Sequence, residues 1–324
     1  MKSFFENNYK LSDKKLWRGS SDEVGARLYE KIRCISIDEL VIRNDQPIAF
    51  LGFACDEGVK RNQGRIGAVL GPSSLRKVLA NQPLHKDRQF YDVGTVSCED
   101  GDLEKAQKVL GEFLALLYAK GYFPIVLGGG HEVAWGHFQG LSMGRKIENL
   151  GIINLDAHFD MRPLIKGTQG SSGTPFLQIA HELESKNLPF NYMCIGVQEG
   201  GNTRSLFNTA KEHKVKSVLA SDFQSIGITK INKKLESFVE GVEKIYLSIC
   251  LDVFSQAHAP GVSSPQPLGL DPRQILPLLK LLAKSGKLLG IDIAELSPPF
   301  DRDEQTARLG ASLIAFILYQ LKKV

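Results

Sequence analysis

Short apolar runs alternate with longer amphipathic segments along most of this chain of 324 residues. The runs have the length and composition of buried strands, and about eight of them are predicted near residues 47–54, 88–93, 123–128, 149–156, 190–197, 216–220, 244–252 and 287–293. Strands that alternate with helices form parallel sheets covered on both faces. The pattern therefore predicts an α/β fold, a three-layer sandwich around a mostly parallel sheet.

Helices are predicted between the strands. Within residues 102–120, Leu110, Leu114 and Leu117 recur at helical spacing, and residues 303–322 form a second candidate after a Pro-rich break. No internal repeat or change of composition marks a linker. We expect a single domain over residues 1–324, in which residues 1–45 have weak periodicity and form an N-terminal arm.

Composition narrows the function classes. The formal net charge is +4, and the basic residues are scattered among acidic ones, which argues against a nucleic-acid partner. The most apolar late stretch is interrupted by lysines and the first residues lack a sustained apolar core, so we expect no membrane span and no signal peptide. The five cysteines include no CxxC pair, which favours a reducing, cytoplasmic location.

Three stretches place metal-ligand side chains at the ends of apolar runs. They are LGGGHE, which contains His131, then NLDAHFD, which contains Asp156, His158 and Asp160, and LSICLD, which ends at Asp252 after Cys250. Residues two apart in an extended strand share a face, so the ligands of each motif are expected to aim at one point. Parallel sheets bind ligands beyond the carboxyl ends of their strands, so we expect the three motifs to meet there.

Carboxylate and imidazole donors suit Mn²⁺ or another borderline-hard divalent ion. The number of ligands fits two metals that share a carboxylate. Each motif also has a simpler interpretation, because Asp156 could cap the helix that follows it and the triple glycine before His131 could be only a tight turn. The occurrence of all three motifs at strand ends favours the metal site.

These motifs resemble those of the ureohydrolase family, which includes arginase, agmatinase and formimidoylglutamase. The resemblance runs from about residue 47 to the end and implies an arginase-like fold with two Mn²⁺ ions per subunit. It assigns His131, Asp156, His158, Asp160 and Asp252 as metal ligands. Cys250 stands where the family usually has a metal-bridging aspartate.

Two roles for Cys250 remain open. A thiolate is softer than a carboxylate, so as a ligand Cys250 would shift the preference toward zinc or iron, or would leave the second metal loosely held. Alternatively, Cys250 is a small buried residue beside a site that has fewer ligands.

Within the family, the details are most similar to formimidoylglutamase, which hydrolyses N-formimidoyl-L-glutamate to L-glutamate and formamide. The features that carry this similarity are GGGHE, Arg162 directly after the ligand motif, SSGTPF at 171–176, and a Gly-punctuated loop at 56–76. The substrate has two carboxylates, and guanidinium groups bind carboxylates bidentately. Candidate anchors are Arg61, Asn62, Arg65 and Arg162, although loop arginines are more often solvated.

The resemblance implies that Glu295 pairs with the cationic head of the substrate while a metal-activated hydroxide attacks the imine carbon. Asp160 is a candidate proton shuttle, so Glu295 and Asp160 form the predicted catalytic pair. His137 and His258 stay outside the catalytic set, because the first is expected on a helix and the second in a loop.

Two alternative functions remain. One is a ureohydrolase that releases urea from a guanidino compound such as agmatine or guanidinobutyrate, which would not require several arginines. The other is a non-catalytic metal-binding relative that no longer binds the second metal because of Cys250. The resemblance also implies a homo-oligomer, and no partner other than a small-molecule substrate is expected.

Overall fold

The computed structural model describes residues 8–20, 23–145 and 147–322. Ten strands within these ranges belong to one sheet. They are Tyr9–Lys10 (β1), Ile32–Cys34 (β2), Ile48–Ala54 (β3), Phe90–Ser97 (β4), Phe123–Leu127 (β5), Leu150–Leu155 (β6), Asn191–Val197 (β7), Lys216–Leu219 (β8), Lys244–Cys250 (β9) and Leu288–Ala294 (β10).

The sheet order is β1-β4-β3-β5-β10-β9-β6-β7-β8, and β2 also pairs with β4. Among these ten described strands only β1 runs antiparallel to its neighbour, so the predicted mostly parallel sheet is confirmed. All eight predicted strands are present. The additional strands β1 and β2 lie in the segment 1–45 that was predicted as an arm, and the first seven residues of that segment lie outside the described part.

Helices cover both faces of the sheet. They are Leu28–Lys31 (α1), Glu57–Arg61 (α2), Gly71–Leu79 (α3), Leu103–Ala119 (α4), Val133–Gly144 (α5), Pro175–Ser185 (α6), Arg204–Glu212 (α7), Asp222–Ser225 (α8), Ile228–Glu240 (α9), Pro272–Lys284 (α10) and Gln305–Gln320 (α11). The helices α4 and α11 confirm the two that periodicity predicted. No helix within the described ranges is long and apolar enough to cross a membrane.

Alternating side chains of the strands divide the core into two parts. Phe50 and Ile125 pack in one apolar cluster with the helices α3, α9, α10 and α11. Their chain neighbours Leu51 and Val126 pack on the opposite face with α4, α5 and α6. Because successive strand residues point to opposite faces, this division gives the three layers that the strand-helix alternation predicted.

A buried ion pair links a helix to the sheet away from the carboxyl ends of the central strands. The guanidinium of Arg76 on α3 donates from Nε to Asp92 Oδ2 over 2.8 Å and from Nη2 to Oδ1 over 2.9 Å. The indole of Trp17 also donates to Asp92 Oδ2, at 2.6 Å. Both charged side chains are almost fully buried, with 2% and 0% exposed. Such a pair stabilises a fold only while both partners are present.

The central strands determine where the predicted ligands meet. The strands β5, β10, β9 and β6 are adjacent and parallel, so their carboxyl ends lie at the same edge of the sheet. The three metal-ligand motifs and Glu295 follow these four strands. The topology therefore brings together residues that are far apart in the chain.

Candidate metal centre

A glycine turn delivers His131 to the edge of the sheet. The turn leaves β5 and passes between neighbouring strands, where Gly128 N–H donates to Ile293 O and Gly130 N–H donates to Cys55 O. A side chain at Gly129 would place its Cβ only 1.8 Å from Cys55 O. The turn therefore requires glycine for close packing, and it places His131 at the amino-terminal approach to α5.

In the other two motifs, turns of the backbone after the strands bring the ligand side chains together, and alternation along an extended strand does not. The strand β6 ends at Leu155, and the N–H of His158 donates to Asp156 Oδ1 over 2.7 Å. Asp160 has a left-handed backbone with φ of 48°. Residues Leu251–Val253 form a 3-10 turn directly after β9. The expectation that extended alternation aims these ligands was therefore wrong, although the residues do meet.

Two histidine–carboxylate clusters share one aspartate. His131 Nδ1 lies 2.9 Å from Asp156 Oδ2 and 2.8 Å from Asp160 Oδ2. On the other side, His158 Nδ1 lies 3.5 Å from Asp156 Oδ1 and 3.1 Å from Asp252 Oδ2. Each oxygen of Asp156 thus faces a different imidazole, which is the arrangement of a carboxylate that bridges two ions.

Ligand-type atoms form two groups that could each hold a metal ion. One group contains His131, Asp156 and Cys250, and the other contains Asp156, His158 and Asp252, with the ligand atoms of each group within 4.8 Å of one another. Cys250 belongs to the His131 group. The predicted ligands therefore meet at one place, and the sixth, Asp160, lies against His131.

The charges of these groups fit bound cations. Burial, followed by the charge of Asp156, raises the pKa of Asp252, and the same two causes raise the pKa of the Cys250 thiol. Burial and Asp156 also raise the pKa of Asp160 to about 6. The buried carboxylates repel one another, and a divalent ion would offset that repulsion.

Two buried polar atoms support the same fit. Asp252 Oδ1 has no hydrogen-bond partner among the described residues, and the single nitrogen His131 Nδ1 is shared between Asp156 Oδ2 and Asp160 Oδ2. Burial alone would lower the pKa of His131, but hydrogen bonding and charge from Asp156 and Asp160 outweigh burial and raise it well above the usual range. A buried polar atom without a partner is costly, and metal coordination would satisfy both atoms.

Glu295 approaches the centre from the end of β10. Its backbone is left-handed, with φ of 69°, and its N–H donates to Gly129 O over 2.8 Å. The side-chain Oε1 accepts a hydrogen bond from the N–H of His131 over 2.9 Å. Burial raises the pKa of Glu295 well above its usual value, with a smaller contribution from the charge of Glu132. The carboxyl group is thus held by the same turn that carries His131.

A cavity of about 300 Å³ opens beside the centre. The predicted catalytic residues Asp160 and Glu295 line it, as do Asn62, Arg65 and Arg162. The side chain of Arg162 is exposed and makes no hydrogen bond or ion pair with any described residue. An arginine in this state can bind an incoming carboxylate without first losing a protein partner.

The other predicted anchors are held by protein groups. Arg65 donates to Val262 O over 2.5 Å and to Ser263 O over 3.1 Å, and its guanidinium lies 4.1 Å from the ring centre of Phe300. Asn62 Nδ2 donates to Ser172 Oγ over 3.2 Å. Both side chains still border the cavity.

Arg61 is directed elsewhere. Its guanidinium pairs with Glu57 at 3.4 Å and Glu104 at 2.7 Å, and it donates to Gly170 O at 3.1 Å. Arg61 is absent from the described lining of the cavity. The structure therefore does not bring Arg61 together with the other three predicted anchors.

The two histidines outside the predicted catalytic set differ in environment. His137 is fully buried and lies 2.8 Å from Asp292 Oδ2, so it is neither a surface residue nor a purely apolar packing residue. His258 Nδ1 lies 2.9 Å from Ser255 Oγ in a loop, outside the described cavity lining. Sequence reasoning missed the polar partners of His137, and the signal was Asp292 within the apolar strand LLGIDIA.

Comparisons with known proteins add the evolutionary context. The Arginase family model matches residues 46–319. A formimidoylglutamase of Legionella pneumophila strain Paris is 46% identical over 313 residues, which cover 96% of this chain and 98% of that protein. A formimidoylglutamase of Chromobacterium violaceum is 42% identical over 308 residues, with 94% and 97% covered.

Solved structures give the same fold. The formimidoylglutamase of Bacillus subtilis superposes with a TM-score of 0.80 at 22% identity, covering 93% of this chain and 94% of that chain. The formiminoglutamase of Trypanosoma cruzi with Mn²⁺ gives a TM-score of 0.76 at 24% identity, with 88% and 97% covered. At sequence identities of 22% and 24%, the structural similarity establishes the fold alone.

Proposed function

This chain belongs to the arginase family, and from that premise we propose that it hydrolyses N-formimidoyl-L-glutamate to L-glutamate and formamide. Relatives that carry the name formimidoylglutamase match the chain over nearly its whole length. One structural observation carries the proposal for this chain. The shared aspartate of two metal-ligand groups lies beside a cavity that is also lined by Arg162, whose guanidinium has no partner within the described part of the chain.

Six side chains would hold two Mn²⁺ ions. One ion would lie among His131, Asp156, Asp160 and Cys250, and the other among Asp156, His158 and Asp252. The unpartnered Asp252 Oδ1 and the repulsion among the buried carboxylates support this assignment. Divalent ions in such a centre supply Lewis-acid chemistry, which makes water a nucleophile near neutral pH.

Glu295 and Asp160 are the proposed catalytic residues. The Glu295 carboxylate would bind the cationic amidine head, whose positive charge would favour the ionised form that burial disfavours. The side chain lies at the cavity wall, and the turn fixes its backbone. The reaction adds water to the imine carbon and breaks the bond from that carbon to the glutamate nitrogen. Asp160, which also lines the cavity, would take a proton from water and return it to the departing amine.

The two substrate carboxylates need cationic or hydrogen-bonding partners at the other end of the cavity. Arg162 is the primary proposed anchor, because its guanidinium makes no hydrogen bond or ion pair with the described residues that substrate would have to displace. Arg65 and Asn62, which also line the cavity, would contribute while Arg65 keeps its hydrogen bond to Ser263 O and Asn62 keeps its hydrogen bond to Ser172 Oγ. Arg61 would act indirectly, since its ion pair with Glu104 joins the end of α2 to the start of α4.

We further propose that the protein works in the cytoplasm as a homo-oligomer. The five cysteines are all free thiols, which supports a reducing location. Several large apolar side chains are exposed, including Ile66 and Leu70, and such surface can be buried between subunits.

A product assay tests the proposed reaction. Purified protein loaded with Mn²⁺ is incubated with formimidoylglutamate, arginine, agmatine and guanidinobutyrate in separate reactions, and glutamate, formamide and urea are quantified. Equal amounts of glutamate and formamide from the first substrate alone support the proposal. Urea from a guanidino compound would show a different ureohydrolase, and no product from any substrate would favour a non-catalytic protein. A chelator-treated sample is the control for metal dependence.

A further inference from the structure

A chain of buried hydrogen bonds runs from His131 into the core, away from the cavity. His131 Nε2 lies 2.9 Å from Ser248 Oγ, and the Ser248 hydroxyl donates to Asp292 Oδ1. The other oxygen of Asp292 accepts hydrogen bonds from Tyr246 and from His137 Nδ1, the latter at 2.8 Å. These side chains are at most 1% exposed, so no solvent competes for the polar atoms.

The direction of each hydrogen bond follows from the number of protons available. A carboxylate accepts only, and Ser248 has one hydroxyl proton, which it gives to Asp292. The oxygen of Ser248 must therefore accept from His131 Nε2. The proton on Nε2 is fixed by this chain, and the other ring nitrogen, Nδ1, is the one that faces the carboxylates of the candidate metal centre.

We propose that Asp292 is a positioning residue that keeps a proton on His131 Nε2 through Ser248 and thereby reserves Nδ1 for a divalent ion. The inference rests on the metal centre of the proposed function. His137 and Tyr246 hold the second oxygen of Asp292 and so fix which oxygen faces Ser248. Partners of this kind orient metal-binding histidines and set which nitrogen carries the proton.

Replacement of Asp292 by asparagine should reverse the donor and acceptor roles along this series of hydrogen bonds. The amide nitrogen would face Ser248, because in the opposite orientation it would confront two donors, His137 and Tyr246, instead of one. Ser248 would then accept from the amide and donate to His131 Nε2. The ring proton would move to Nδ1, and the nitrogen intended for the metal would be blocked.

The test compares Asp292→Asn, Ser248→Ala and a matched control, Tyr118→Phe. Tyr118 is equally buried and lies 2.7 Å from His137 Nε2, but its hydroxyl makes no hydrogen bond to Asp292. Solid-state NMR of protein with isotopically labelled histidine nitrogens reports whether His131 Nε2 carries a proton. Equilibrium dialysis with Mn²⁺ alone gives the affinity of each protein. Circular dichroism identifies any variant that does not fold.

At a pH above the raised pKa of His131, where the ring is neutral, we expect Nε2 to carry the proton in the wild type and in Tyr118→Phe, and Nδ1 to carry it in Asp292→Asn. The affinity for Mn²⁺ should fall by about 10- to 100-fold in Asp292→Asn and in Ser248→Ala. A protonated Nε2 in folded Asp292→Asn, or unchanged affinity in Ser248→Ala, would overturn the inference. If the wild type binds no Mn²⁺, the proposed centre fails, whereas the NMR signal still tests the proton position separately.

Discussion

Glu295 accepts a hydrogen bond from the backbone N–H of His131 over 2.9 Å, although 164 residues separate the two in the chain. This contact joins the proposed substrate-binding carboxylate to the turn that carries a metal ligand. Substrate binding and metal binding are nevertheless separable, because Glu295 contacts the backbone of His131 and not its ring.

Glu295→Gln should lower kcat by about 100- to 1000-fold while the metal stays bound. The glutamine oxygen can still accept from the N–H of His131, so the turn keeps its shape, but the negative charge for the amidine head is lost. Steady-state kinetics and metal analysis of the same preparation check this. Loss of metal, or turnover close to wild type, would contradict the assigned role.

Cys250 should bind the ion of the His131 group through sulfur. Protein loaded with Co²⁺ should show a near-ultraviolet charge-transfer absorption typical of thiolate ligation, because the Cys250 thiol lies with His131 and Asp156 in one ligand group. Cys250→Ala should remove the absorption. Cys250→Asp should also remove it and should increase the preference for Mn²⁺ over Zn²⁺, because an oxygen donor is harder.

The matched control for Cys250 is Cys194→Ser. Cys194 is also fully buried, but its thiol donates to the backbone oxygen of His158 and belongs to neither ligand group. The absorption should survive in this variant. If the wild type loaded with Co²⁺ shows no such absorption, Cys250 is a packing residue and the His131 group has only nitrogen and oxygen ligands.

Arg162→Ala should raise KM for formimidoylglutamate by about 10- to 100-fold with a smaller change in kcat. Charge-assisted hydrogen bonds contribute about 1.5–3 kcal/mol, and the free guanidinium at the cavity wall can make them only when substrate is bound. Stability should stay close to wild type, because the side chain makes no hydrogen bond or ion pair with the described residues.

Arg61→Ala provides the contrast. Its ion pairs with Glu57 and Glu104 would be lost, so the melting temperature should fall more than in Arg162→Ala, while KM should rise less. Kinetics and thermal unfolding of the two variants, measured side by side, distinguish a side chain that binds substrate from one that stabilises the fold. A larger KM effect for Arg61 would show that this side chain reaches the substrate.

Arg76→Met should lower the free energy of unfolding by about 3–5 kcal/mol, because it leaves the Asp92 carboxylate buried without its cationic partner. Denaturant titration at neutral pH measures this change. A loss of less than about 1 kcal/mol would show that Trp17 and local rearrangement suffice for Asp92.

The pH dependence of this ion pair has a definite sign. Burial alone would raise the pKa of Asp92, but the charge and hydrogen bonds of Arg76 outweigh burial and lower it. The pair therefore stabilises the protein above the unfolded-state pKa of about 3.9, and this stability is lost as pH falls through the lower folded-state pKa. In Arg76→Met the unpaired carboxyl should titrate higher, so acidification should recover part of the lost stability. Unfolding titrations at several pH values show whether the slope changes sign.

The features that depend on neighbouring residues in the chain could be predicted from the sequence. Apolar runs gave eight strands, and the ligand residues follow those runs directly, so the position of His131 and Asp156 at one edge of the sheet could be predicted. The strands β1 and β2 have two and three residues, too few for a periodic signal. They exist because β4 offers a free edge, which only the assembled sheet provides.

The remaining features of the site depend on distant partners. Arg61 was predicted as an anchor because its loop resembles a substrate loop, but Glu104, 43 residues away, attracts its guanidinium. His137 meets Asp292 across 155 residues. The approach of Asp160 depends on a left-handed backbone that residue spacing does not reveal. Such pairings follow from tertiary packing, so residue type and spacing alone could not predict them.

The most direct test of the account is to follow hydrolysis of formimidoylglutamate in water enriched in heavy oxygen. If water adds to the imine carbon and the bond to the glutamate nitrogen breaks, mass spectrometry should find one heavy oxygen in formamide and none in glutamate. N-formylglutamate with free ammonia, or the absence of any labelled product from metal-loaded protein, would contradict the proposed reaction.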